Sequence, residues 1–92
     1  MIVSFKCRDT AALAKGTKVR RFASFEDAAR RKLRQLEIAL CLDDLRIPPG
    51  NHLEVLRGNR AGQHSIRINV RMRICFVWTD GGAADVEIVD YH

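Results

Sequence analysis

The residues best suited to chemistry fall in two groups: the run Asp90-Tyr91-His92, and a set of arginines ahead of it. A carboxyl and an imidazole can exchange protons, and a phenol adds a hydroxyl and a ring. All sixteen Lys and Arg lie between Lys6 and Arg73, and none follows Arg73. A cationic body draws in a polyanion. Together these groups suit proton transfer beside a phosphate.

A second motif is Leu53-Glu54-Val55-Leu56-Arg57-Gly58-Asn59-Arg60-Ala61-Gly62. Its glycines permit close backbone approach, and Arg57 and Arg60 can meet phosphate. It matches neither a Walker loop nor a dinucleotide fingerprint.

Composition narrows the classes. The 92 residues suit one domain with a single core, spanning 1–92. A hydrophobic content of 47% beside 29% charged residues excludes a disordered chain. The charge of +5 points to an anionic partner, with nucleic acid first and a plain solvated cationic surface as the alternative. No apolar run reaches the roughly 18 to 20 residues of a membrane span, and Met1-Ile2-Val3-Ser4-Phe5-Lys6 is no secretory signal, so the expected location is the cytoplasm. Cys7, Cys41 and Cys75 are odd in number and lack metal spacing, so each is expected as a small buried hydrophobe.

The elements that must position these groups follow from periodicity. Ile2–Cys7 reads as a first strand, and Ala11–Lys15 as a brief helix capped by Asp9 or Thr10 and ended by Gly16. The main helix is expected from Ser24, with Ala29, Leu33, Leu36 and Leu40 as its apolar stripe, stopping near Leu42–Leu45 before Pro48-Pro49-Gly50. Its Arg30, Arg31 and Arg34 make either an RNA-contacting surface or the solvated back of an amphipathic helix. From Gln63 the period becomes two, giving three antiparallel strands with a turn at Asp80-Gly81-Gly82. Parity sets Ile66 opposite Ile74 and Phe76 opposite Val86 on an apolar face that helices must cover. Ser65, Arg67, Arg73, Glu87 and Tyr91 share the other face, expected to be left open as a binding surface.

The order of these motifs resembles the RelE-like toxins of bacterial toxin–antitoxin modules, most closely the HigB branch (host inhibition of growth, or plasmid-maintenance killer). The resemblance runs from Met1-Ile2-Val3-Ser4-Phe5 through Arg57-Gly58-Asn59-Arg60-Ala61-Gly62, Ser65-Ile66 and Arg73-Ile74 to Val89-Asp90-Tyr91-His92. It implies an α+β fold: a small antiparallel sheet, from the first strand plus three C-terminal strands, with two N-terminal helices on one face. It also implies ribosome-dependent cleavage of messenger RNA in the decoding site, and neutralisation by a helix-turn-helix antitoxin in a hetero-oligomer.

Residue by residue, the family's basic position before the first glycine falls on Arg57 and its strand arginine on Arg73. Its terminal acid, aromatic and histidine fall on Asp90, Tyr91 and His92. Its upstream histidine position holds Glu54, which can serve as a base but cannot donate as an imidazolium does. The expected catalytic set is Arg73, Asp90, Tyr91, His92 and Glu54. The expected RNA-binding set is Arg57, Arg60, Arg67, Arg30, Arg31 and Arg34. No metal or other cofactor is called for, since 2′-OH attack on the adjacent phosphate needs only alignment, charge stabilisation and two proton transfers.

Structural alternatives stand beside these roles. Asp90 can pair with an arginine, Tyr91 can pack at a sheet edge, and His92 can fray. His64 is expected in the core, His52 in an exposed loop and Trp78 in the core stripe. The rival function is a non-catalytic RNA-binding or ribosome-associated module, which should display aromatics on its sheet. Phe76 and Trp78 have core parity instead. A third reading is a protein-interaction domain docking a basic partner through Asp80, Asp85 and Glu87.

Overall fold

The computed structural model describes residues 1–90. Two helices, α1 (Arg8–Ala14) and α2 (Glu26–Ile38), precede four strands: β1 (Glu54–Val55), β2 (His64–Arg67), β3 (Met72–Thr79) and β4 (Gly82–Asp90). The strands form one antiparallel sheet in the order β1-β2-β3-β4. The α+β class is as expected.

Strand alternation builds the core. Ile66, Ile74, Phe76, Val86 and Ile88 point to the helix side and are buried against Leu13, Phe22, Leu33 and Leu36. Truncating one of these aliphatic side chains to Ala typically costs about 2–5 kcal/mol. Ile66 pairs with Ile74, and both ring residues Phe76 and Trp78 pack with the helix-side cluster. On β4 the register shifts between Cys75 and Val77, so Phe76 spans two residues, Asp85 and Val86. Asp85 takes a φ of 51°, the extra residue of a β-bulge.

The N-terminal segment enters the sheet differently from the expected strand. It lies parallel to β4, through bridges Ile2↔Ala83 and Phe5↔Val86, and the fourth antiparallel strand is β1 instead. Gly82 makes this approach possible, because a Cβ there would sit 2.0 Å from the Met1 carbonyl oxygen.

Helix boundaries also moved, for identifiable reasons. α1 starts at Arg8, and Thr10, expected as a cap, is buried with its hydroxyl accepting the Ile88 N–H at 3.1 Å. The stretch before α2 forms a 3-10 helix over Arg20–Phe25, so α2 begins at Glu26 rather than Ser24. α2 ends at Ile38, short of Leu42–Leu45. The Asp44 carboxylate accepts from the Leu40 and Cys41 N–H groups at 2.9 and 3.3 Å, and the Met1 ammonium donates to the Leu36 and Ala39 carbonyls. The backbone groups a longer helix would need are thereby engaged elsewhere. Leu40, expected in the stripe, is consequently 92% exposed.

Buried Asn51 ties α2 to the following loops. Its amide donates to the Gln35 side chain and the Leu45 carbonyl at 2.8 and 3.0 Å, while Lys32 donates to its oxygen. Of the three cysteines only Cys75 is fully buried, and Cys41 is exposed because it lies beyond the shortened helix. Among the described residues no helix is long and apolar enough to cross a membrane.

Candidate functional site

Antiparallel pairing aligns Glu54, Ser65, Cys75 and Glu87 in one row across the four strands, on the face away from the helices. One step along, Arg67 lies directly opposite Arg73. Like charges facing each other across a ladder are unfavourable, so this placement suits an anion above them. The polar-face parity read from the sequence is the observed one for Ser65, Arg67, Arg73 and Glu87.

That face is less open than expected. Ser65 and Cys75 are fully buried and Arg73 is 7% exposed. The chain from His52 to Gly62 closes over one end, where Leu56 is buried outside the main hydrophobic cluster. A buried guanidinium needs partners for its donors. Arg73 donates from Nε to Ser65 Oγ at 2.8 Å and from a terminal nitrogen to the His52 carbonyl. Its other terminal nitrogen stands 3.3 Å from Glu54 Oε1. These contacts fix the plane of the guanidinium before any ligand arrives.

The His52 carbonyl has no sequence signature as a site group. Its residue is exposed, as expected of a loop, but adopts a left-handed backbone at φ 45° that delivers the carbonyl to Arg73. Only the fold could reveal it.

A second charged group spans the same face. Arg60 donates to Gln63 and Glu87 at 3.1 and 2.9 Å, and Lys6 Nζ lies 3.8 Å from the same Glu87 oxygen. Burial pushes the Cys75 thiol above its ordinary range, Arg60 pulls it down, Glu87 pushes up, and the net direction is upward. Cys75 is thus a neutral thiol under the ion pair. Glu87, offered with Asp80 and Asp85 as a docking surface, is already held by two cations.

Arg57 precedes the short 3-10 turn Gly58–Arg60 and is exposed. Gly58 and Gly62 take φ of 63° and 91° with open space around each, so the turn requires them for its left-handed backbone. Arg67 donates to the Asn69 carbonyl at 3.0 Å and stays half-buried. Asp90 ends β4 opposite Met72, the neighbour of Arg73, and accepts from Arg71 at 2.8 Å. Tyr91 and His92 lie outside the described residues.

The structure therefore brings together Glu54, Arg60, Arg67 and Arg73 on one face, with Arg57 on the turn that leads to it. It carries Arg30, Arg31 and Arg34 away from them, on α2 across the sheet. Arg30 there is engaged with the Leu13 and Thr17 carbonyls and with Glu26.

The site can grip an anionic group with pre-oriented guanidinium, and Asp90 adds a carboxylate at its edge. Comparison with known proteins identifies the family. A family model described as the RelE-like toxin of the type II toxin–antitoxin system HigB matches residues 15–92. A protein named Toxin HigB-1, from Vibrio cholerae serotype O1, is 51% identical over 61 residues. That stretch is 66% of this chain and 64% of the relative, a little under two thirds of the relative's length.

Proposed function

Since the chain belongs to the HigB-like toxin family, we propose that it is an endoribonuclease that cuts messenger RNA on the ribosome and is held in check by a cognate antitoxin. The observation that carries this reading is the clamped Arg73 with Arg67 directly opposite on the same sheet face.

The reaction needs no covalent enzyme intermediate. The RNA 2′-oxygen forms a bond to the adjacent phosphorus while the bond to the 5′-oxygen breaks, leaving a cyclic phosphate and a 5′-hydroxyl. One proton leaves the 2′-oxygen and one joins the 5′-oxygen. Negative charge grows on the phosphoryl oxygens, where a fixed guanidinium is most effective because it need not reorganise. Arg73 takes this role. Arg57, Arg60 and Arg67 hold the flanking phosphates.

Glu54 acts through Arg73, as a positioning residue that keeps the guanidinium in plane. Asp90 and His92 are the proton carriers, and Tyr91 stacks on a base or bonds the phosphate. The ribosome supplies the in-line alignment, which accounts for a small site with few proton-transfer groups. A non-catalytic RNA platform is less well supported, because Phe76 and Trp78 pack on the helix side.

The test compares naked messenger with messenger on translating ribosomes, reading cuts by primer extension. Cuts should appear at defined positions only on ribosomes. Equal cleavage of both substrates would remove the ribosome from the mechanism, and cleavage of neither would remove the nuclease reading.

A further inference from the structure

A groove of about 550 Å³ lies on the helix side, away from the Arg73 face. It runs between the end of α1, one face of α2 and the N-terminal segment. Ile2, Phe5 and Leu33 form an apolar floor, and Ala14 stands exposed at its side. Lys15, Arg31 and Arg34 line the rim, all exposed. Among the described residues none of these three cations has a carboxylate within ion-pair distance. The one acid of the groove, Glu37, accepts the Ile2 N–H.

Ile2 leads to Met1 and Glu37 leads to Ile38, which are 60% and 65% exposed, and Leu40 follows at 92%. An apolar floor whose chain neighbours are exposed apolar side chains suits a surface that a partner covers. Unpaired cations along its rim state the partner's charge.

Nucleic acid would satisfy the rim but gain little from this floor, since single strands bind by stacking on exposed rings and the one ring here, Phe5, is half-buried against the core. A protein segment with apolar residues on one side and carboxylates on the other satisfies both. Resting on the toxin reading above, we infer that this groove is the docking site for an acidic amphipathic segment of the antitoxin. Arg31 and Arg34 then serve partner binding rather than RNA binding. Inhibition is written into a face that the reaction does not use.

The experiment takes the full chain and the antitoxin encoded in the neighbouring reading frame, and measures Kd by calorimetry beside ribosomal cleavage. Ala14→Trp fills the groove from its open side, and Lys15→Glu reverses a rim charge. Each should weaken antitoxin binding by about tenfold or more, and wild-type affinity should fall with added salt. Cleavage by both variants should match wild type, which also establishes that they fold.

Antitoxin affinity within twofold of wild type in both variants overturns the proposal. So does an Arg31→Glu, Arg34→Glu double variant that loses ribosome binding yet keeps full antitoxin affinity, because the rim would then face RNA. Dimerisation of the wild-type chain alone, abolished by Ala14→Trp, would give the groove to a second copy. An antitoxin that fails to bind the wild type also overturns it. If the antitoxin binds as expected but no messenger is cut, the nuclease reading fails and the docking site stands.

Discussion

Arg73 donates its Nε hydrogen to the hydroxyl of Ser65 at 2.8 Å, across the β2–β3 ladder, and that hydroxyl is fully buried. The pair makes a serine with no reactive partner part of the candidate site. It also means that the proposed charge-stabilising group and the stability of the sheet share one contact.

Ser65→Ala removes the acceptor and leaves a buried donor short of its partner, at a cost of about 1–3 kcal/mol in stability. Urea denaturation should show that loss. Single-turnover cleavage should fall as the guanidinium loosens, and Ser65→Thr, which keeps the hydroxyl, should restore most of it. A Thr variant no better than Ala would reduce Ser65 to packing.

Arg73→Ala should abolish growth inhibition, since losing a fixed charge-stabilising donor raises the barrier by ~2.7–4 kcal/mol. Arg73 is also only 7% exposed, and its removal strands the Ser65 hydroxyl. A drop in the urea midpoint is therefore expected as well. Arg73→Lys keeps the charge without the planar fork and should recover stability more than rate. Wild-type toxicity from folded Arg73→Ala would take the residue out of the site.

Glu54 stands 3.3 Å from the Arg73 guanidinium. As a positioning group it is replaceable by another acceptor, so Glu54→Gln should stay within about tenfold of wild type with an unchanged pH–rate profile. Glu54→Ala should lose more. A drop of about 100-fold or more in Glu54→Gln, with a limb of the profile gone, would make Glu54 the base instead.

His92→Gln keeps chain length and hydrogen bonding while removing titration near neutral pH. Cleavage on the ribosome should fall by ~100-fold or more with ribosome binding nearly unchanged, because the arginines remain. A rate within a few-fold of wild type would move proton transfer towards Asp90.

Burial holds the Cys75 thiol above its ordinary range, with Arg60 opposing and Glu87 adding to the shift. A folded value above the unfolded one gives stability that is complete below the unfolded value and lost as pH rises through the folded one. Urea midpoints should decline from neutral into alkaline pH, and the decline should be smaller in Cys75→Ala. A thiol reagent near neutral pH should label Cys75 only after unfolding. Equal slopes in both proteins would show that other groups govern the alkaline limb.

Much of the sheet is legible in the chain alone. Alternation along each strand between His64 and Asp90, broken only by the bulge at Asp85, and the Asp80-Gly81 turn are local signals, and the resulting Ile66↔Ile74 pairing is the observed one. Ser65, Arg67, Arg73 and Glu87 fall on one face for the same reason, because side-chain direction in a strand repeats every second residue. The motif order around Arg57-Gly58 and Asp90-Tyr91-His92 pointed to the family that matches. What periodicity could not reach depends on groups distant in the chain. The His52 carbonyl that clamps Arg73 is 21 residues away, and the Thr10 hydroxyl that pins α1 to β4 is 78 residues from Ile88. β1 has two residues, too few to show a period, and it exists as a strand because β2 supplies its partners. α2 stops at Ile38 because Asp44 holds the Leu40 and Cys41 N–H groups and the Met1 ammonium holds the Leu36 and Ala39 carbonyls, which a longer helix would need. A repeat in sequence sets which face a side chain takes. Whether that face is open, clamped or covered is decided by hydrogen-bond partners that only the folded chain brings within reach.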